Sequence, residues 1–570
     1  MNHRSFIDAL RQLLSSRQVL TSDRKTLRYR CGIRIGEGKV NAVVLPHSAM
    51  ELWETLKLCI RFDKIIILQA ANTGLNGGST PYGNDYDRDV VIISTRRLNR
   101  LGLLRGGRQV IACAGTTLTQ LEDALRPMRR GPHSVIGSSC IGASVIGGVC
   151  NNSGGNLLNR GPSYSELALY AQLDAAGQLT LVNHLGLDLG ESPEEILSNL
   201  DQANLDARDV WDGRGMASDH EYSIRVRDIH ATTPARFNAD PRRLHEASGC
   251  AGKLAVFAVR LDTFPLPERE QVFFIGTNQP DDFTRLRKRM LSQFEDLPEM
   301  AEYMHASYFD GAHRYCKDSY LLIRLLGARA LPRLLAVKSW LDGLCSSMGF
   351  LPTRLPDKLL QYASRLLPEH LPRSIRAYRK CFEHFLILKC TDATIEATQQ
   401  FLRENFGEPS RSPSGQSTGW FKCTSKEGES ALLHRFVAGG ATARYATMHA
   451  GIVGEIMPLD VALPRNSEDW HELLPPELLE QLAAPYCLAH FFCMVFHWDF
   501  VVKKGLDAEE LKRRIMALLD EKGAKYPAEH NVGHVYEAEP VLADFYRQLD
   551  PTNSFNAGVG KMSKYKYYAD

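Results

Sequence analysis

Between the apolar runs at Ile65–Leu68 and Val90–Ile93 the chain reads QAANTGLNGGSTPYGNDYDRD, and between Ile136 and Asn156 it reads IGSSCIGASVIGGVCNNSGGN. Glycines this dense leave backbone N–H groups uncovered and let the chain approach a ligand closely, a chemistry that suits phosphate. Two familiar cradles fail. G-x-G triplets open at Gly36, Gly213 and Gly558, but the sixth positions are Asn41, Ser218 and Ser563, so no dinucleotide turn is present. Gly-Lys occurs only before Val40, Leu254 and Met562, never before Ser or Thr as a P-loop requires. The glycines either make turns alone, or the two loops together hold a long ligand with a pyrophosphate.

The elements that must position these loops are legible around them. Lys64–Gln69 and Asp89–Ser94 predict strands that bracket the first loop, and NAVVLPHSAMELWETLKLC predicts strand, Pro turn and helix. QVIACAGTTLTQLEDAL repeats that theme, and PLPERE after Phe264 reads as a linker. At 570 residues the chain exceeds one hydrophobic core. With 44% hydrophobic and 24% charged residues it is an ordinary folded protein, and a net charge of +2 gives no basic excess for nucleic acid. The 13 cysteines never form C-x-x-C, which predicts reduced thiols in a cytoplasmic compartment. The opening MNHRSFIDALRQLLSSRQVL reads as an amphipathic helix without a signal-peptide core. The most apolar run, LAHFFCMVFHWDFVVKK, is interrupted by His490, His497 and Asp499, so it predicts no membrane span.

Four stretches carry a resemblance: AANTGLNGGSTPYGNDYDRDVVIIST, PHSVIGSSCIGASVIGGVCNNSGG, ASGCAGKLAVFAVRLDTF and YPAEHNVGH. The chain resembles the vanillyl-alcohol-oxidase-type (PCMH) flavoproteins over nearly its whole length, and within them the respiratory, quinone-linked D-lactate dehydrogenases of bacteria. The fold implied is α+β, a two-subdomain FAD-binding PCMH-type fold with an α+β substrate-cap domain and a basic helical membrane-contact insert. The divisions expected are an FAD-binding domain at 1–265 with its core at about 36–210, a cap at 266–515 containing the insert at 304–380, and a C-terminal segment at 516–570 returning to the FAD domain.

The resemblance places FAD on named residues. Ala70, Ala71, Asn72, Thr73, Gly74, Gly78 and Ser79 would face the diphosphate. Ile136, Gly137, Ser138, Ala143, Ser144 and Ser153 would form the second wall, with Ala255 and Val256 on a strand touching the cofactor. Positions 70–80 hold no histidine, so the flavin is expected to be non-covalent. AEHNVGH resembles the family's motif for a histidine facing the flavin, which makes His530 the general base. Arg435 becomes the partner of the substrate carboxylate, because Pro458 stands near the place of a lysine found in some relatives. Relatives acting on D-2-hydroxy acids hold a divalent metal on H-x6-H and a glutamate, here His490, His497 and Glu529. Since Phe-Phe-Cys-Met-Val-Phe lies between the histidines, two readings stand: a metal such as Zn, or a buried strand with satisfied imidazoles.

Residues 321–380 carry 11 Lys or Arg against 3 Asp or Glu, mixed with leucines and Trp340. That mixture predicts contact with an anionic membrane surface, against the plainer reading of a solvated helix face. The activity implied is oxidation of D-lactate to pyruvate with electrons passed to ubiquinone or menaquinone, at the cytoplasmic face of the bacterial inner membrane. The rivals are another D-2-hydroxy acid, such as 2-hydroxyglutarate or glycolate, and a flavin-free membrane adaptor on the same fold.

Overall fold

The computed structural model describes residues 3–134, 141–202, 205, 210–211, 215–330, 334, 337 and 354–569. The amphipathic opening segment forms helix His3–Leu13, and its Phe6, Ile7 and Leu10 are buried against helix Ala49–Arg61. That second helix starts where Ser48 Oγ accepts the Glu51 N–H at 3.0 Å, and Leu52, Trp53, Leu56 and Cys59 keep a helical period toward the core.

A four-stranded sheet has the order Val19–Leu20, Ala42–Val44, Val90–Ser94, Ile65–Gln69, and its last three strands are parallel. Parallel strands are covered on both faces, which explains the unbroken apolar runs on either side of the first glycine loop. Ile65–Gln69 is an edge strand, and residues 554–556 cover that edge. The Ile66 N–H donates to the Ser554 carbonyl, and the Asn556 N–H to the Ile66 carbonyl, each at 2.8 Å.

The second sheet is antiparallel, in the order Leu101–Leu104, Gln109–Cys113, Ala255–Asp262, Ala168–Leu173, Leu179–Asn183. One apolar cluster joins these two sheets. The third sheet has seven antiparallel strands, ordered Thr418–Lys422, Glu270–Thr277, His384–Thr391, Met300–His305, Leu482–His490, Val495–Lys503, Val453–Ala462. Alternate residues serve its two faces: Phe273 and Ile275 enter one cluster, Phe274 another.

Met300–His305 and His384–Thr391 are neighbours in that sheet, so everything between them is an excursion. It carries helices Ala306–Tyr315, Lys317–Leu326, Leu355–Ser364 and Arg373–Cys381. Leu325 is 80% exposed and Leu366 90%, near the exposed cations Arg324, Arg365, Arg373 and Lys380. Trp340 lies outside the described residues. Among the described residues no helix is long and apolar enough to cross a membrane.

Candidate active site

The chain leaves strand Ile65–Gln69 and turns at Asn72, whose φ of 54° is left-handed. Asparagine tolerates that conformation and ties it down: its Nδ2 donates to the Cys31 carbonyl at 2.9 Å, and its Oδ1 accepts from Ser79 Oγ at 3.1 Å. With the side chains so occupied, Ala70, Ala71, Asn72, Thr73 and Gly74 line a cavity of about 2030 Å³. A Cβ on Gly74 would meet nothing within 4 Å, whereas one on Gly78 would lie 2.7 Å from Asn531 Nδ2. Opposite, Ser144 caps helix Val145–Cys150, and Ala143, Ser144 and Ser153 line the same space. Val256 lines it at a register shift in its strand, while Ala255 is fully buried in the core behind. Ile136, Gly137 and Ser138 lie outside the described residues. Usual small-molecule pockets measure about 300–1,000 Å³, so this one has room for a long ligand and a second molecule.

The far wall is built by charged side chains from the third sheet. Leu482–His490 and Val495–Lys503 form a hairpin around Phe491–Cys493, and Met494 takes the left-handed turn. Phe491 and Phe492 are sealed in the core. The apolar residues between the two histidines are therefore the hairpin tip, and the hairpin returns His497 to within 5.1 Å of His490, centroid to centroid. His490 Nδ1 lies 2.7 Å from Glu302 Oε1, and Arg435 Nε 2.8 Å from Glu302 Oε2. His490 Nε2 faces Glu529 Oε2 at 3.4 Å, and Arg236 closes on the other oxygen of Glu529. Burial opposes charge on His490, but the two carboxylates outweigh it and raise its pKa to about 10. Burial likewise opposes charge on Glu302, yet Arg435 and His490 hold it down at about 2.

Asp460 organises the remaining side. Its Oδ2 accepts the N–H groups of Glu529 at 2.8 Å and His530 at 3.1 Å, and lies 2.7 Å from His530 Nδ1. Its Oδ1 is 3.4 Å from His497 Nδ1. Burial would lower the His530 pKa, but the Asp460 carboxylate prevails and raises it. The His530 loop is also tied to the first glycine loop. Asn76 Nδ2 donates to the Asn531 carbonyl at 2.7 Å, and the His534 N–H to the Asn76 carbonyl at 2.9 Å. His530 is thus referenced directly to the loop on the opposite wall.

Residues 40–180 match the family model for an FAD binding domain, and residues 272–568 the model for D-lactate dehydrogenase, membrane binding. The chain is 50% identical over 570 residues to the quinone-dependent D-lactate dehydrogenase of Haemophilus influenzae, covering 100% of both. Its identity to the enzyme of the same name from Escherichia coli is 51% over 571 residues, covering 100% of this chain and 98% of the relative. The chain belongs to the quinone-dependent D-lactate dehydrogenases. Substrate-bound p-cresol methylhydroxylase shares the fold, with a TM-score of 0.56 at 12% identity, covering 98% of this chain and 97% of that one.

In this member of the quinone-dependent D-lactate dehydrogenases, one cavity collects His530, Arg435, His490, His497 and Glu529 with the first-loop residues. Sequence reasoning missed Asp460, Glu302, Arg236 and Arg34. Asp460 had a signal, since it stands two residues beyond Pro458 on strand Val453–Ala462 and so shares its face. Glu302 had one too, a lone carboxylate inside the strand MAEYMH. Arg236 and Arg34 had none. Arg34 lines the cavity with no ion-pair partner among the described residues.

Proposed function

We propose that the protein oxidises D-lactate to pyruvate on FAD and delivers the electrons to a membrane quinone. The observation that carries this is a single cavity running from the 70–79 loop to His530, in a chain that matches quinone-dependent D-lactate dehydrogenases from end to end. Bound FAD supplies the hydride acceptor. The chain's own residues do the rest. Asp460 holds Nδ1 of His530, which leaves Nε2 to take the hydroxyl proton as the Cα hydride departs. Arg435, whose Nη2 has no hydrogen-bond partner among the described residues, holds the substrate carboxylate together with Arg34. Ala70, Ala71, Asn72, Thr73, Gly74, Gly78 and Ser79 serve the FAD diphosphate through backbone amides and small side chains, without a covalent tether.

The donor set of His490, His497 and Glu529 fits a divalent ion such as Zn. Their ligand atoms lie within 4.8 Å of one another, with Glu529 Oε2 at 3.4 and 3.7 Å from the two Nε2 atoms. Ligands about 2.1 Å from a tetrahedral Zn stand about 3.4 Å apart. Glu302 and Asp460 occupy the two Nδ1 atoms, the outer partners that orient metal-bound imidazoles. Such an ion would supply Lewis acidity toward substrate oxygen. The exposed leucines and cations between residues 322 and 380 support peripheral attachment, at the cytoplasmic face of the inner membrane.

Anaerobic bleaching of the flavin by a panel of hydroxy acids tests the reading. D-lactate should bleach it fastest, 2-hydroxyglutarate and glycolate slowly, and L-lactate not at all. A flavin left oxidised by D-lactate would refute the assignment.

A further inference from the structure

The cavity does not end at Arg435. Around Arg435 the same cavity has an apolar limb, lined by Leu432, Leu433 and Phe436 of helix Ser425–Val437, by Gly439 and Gly440, and by Ile323 of helix Lys317–Leu326. None of these side chains is charged. On the same helix as Ile323, Leu322, Leu325 and Leu326 are 38%, 80% and 52% exposed, and Phe436 of the lining is 38% exposed. Arg435, Tyr308 and Glu302 line the same cavity. The limb therefore connects the apolar outer surface of the helical excursion to the wall where the hydroxy acid would react.

We propose that this limb is the quinone site: the ring docks beside Arg435 and the isoprenoid tail leaves between Ile323 and Phe436. The proposal deepens the function given above and rests on it. The chemistry selects this occupant over lactate. A carboxylate carried through an uncharged apolar passage loses its hydration without a partner. A quinone is apolar except for two carbonyl oxygens, which need a donor only beside Arg435, whose Nη2 becomes available to the ring once pyruvate has left. Its tail is stabilised by burial against leucine and phenylalanine. The reaction closes without another reactant. Lactate surrenders two electrons and two protons, as Cα hydride and hydroxyl proton; the quinone takes two electrons and two protons and leaves as quinol.

The two glycines give the means to test it. A Cβ on Gly439 would meet nothing within 4 Å, and one on Gly440 only Cys316 Sγ at 3.9 Å. Neither has a left-handed φ, so Gly439→Leu is compatible with the backbone and would project into the limb. Gly451, equally open but not part of the cavity wall, gives the control Gly451→Leu. Three readouts separate the steps: anaerobic flavin bleaching by D-lactate, D-lactate-driven reduction of ubiquinone in detergent, and photolabelling by an azidoquinone mapped by peptide. Gly439→Leu should lower ubiquinone reduction at least tenfold, while bleaching by D-lactate stays within twofold of the wild type. The azido label should fall on peptides holding Leu432–Phe436 or Ile323 in the wild type and in Gly451→Leu, and be lost in Gly439→Leu. Wild-type quinone reduction by Gly439→Leu, or label confined to other peptides, overturns the proposal. Failure of D-lactate to bleach the wild-type flavin would instead sink the proposed function, and the photolabel would still judge the limb.

Discussion

The two walls of the cavity are made in opposite ways. The glycine-loop wall presents backbone and small side chains, and its Asn72 and Ser79 side chains are spent on holding the loop's own shape. The far wall presents charges, Glu302, Arg435, Asp460, His490, Glu529 and His530, each held by another from a distant part of the chain, with buried Arg236 pairing Glu529 from behind. One wall depends on atoms being absent, the other on charges being matched. Adding a side chain should therefore break the first, and removing a charge or an imidazole should break the second.

Four measurements sharpen that contrast. The largest effect is expected for His530→Ala, which should slow single-turnover flavin reduction by D-lactate about 10²–10⁴-fold, roughly 3–5 kcal/mol of barrier, at normal FAD content. Loss of FAD in this variant would show that the far wall also holds the cofactor. Asp460→Asn should cost about 1.5–3 kcal/mol through the lost charge-assisted bond, and also change the pH profile. His530 must be neutral to accept a proton, and Asp460 raises its pKa, so the wild-type rate climbs as pH rises through that raised value. Without the carboxylate, burial and Arg34 lower the pKa against Glu529 alone, so the rise should move to lower pH. A stationary profile would remove Asp460 from the proton path.

On the other wall, Gly74→Val should weaken FAD by about 1–3 kcal/mol, the usual cost of overfilling a close contact, and leave the apoprotein's melting temperature unchanged because the added atoms point into open space. Acid or heat should release the flavin intact from the wild type. The smallest effect belongs to the surface of the excursion. Arg373→Gln should shift membrane partition at low salt by about 1 kcal/mol, roughly fivefold, with no change in bleaching. Arg379 is a poorer choice, since Asp310 already holds it at 2.6 Å.

The same contrast governs what could be read from the chain. The first glycine loop was legible because it is local: two apolar runs, a dense glycine segment, and edges within a residue of those expected from Lys64 and Asp89. His490 and His497 were legible as a spacing, but their apolar interval pulled toward a buried strand. The hairpin buries its tip and still brings the two histidines together. Arg236, Glu302 and Asp460 could not be paired beforehand, because each partner comes from another strand or loop of the assembled sheet. Arg379 looked like surplus charge until Asp310 was found opposite it.

The covered edge of the first sheet sets a clock on synthesis. Ile65–Gln69 leaves the ribosome early, yet the hydrogen bonds that protect its outer side come from residues 554–556. At about 5–20 residues per second, the interval between Ile66 and Ser554 is roughly 25–100 s. For that time an unbroken Ile-Ile-Ile-Leu edge has no partner, which is the condition under which strands pair between chains. The His530 loop, which ties to the first glycine loop through Asn76, arrives in the same late stretch, so that loop too waits for its partner. Expression at lower temperature slows elongation as well as aggregation, and the yield of yellow soluble protein should depend on how well a chaperone covers that one strand.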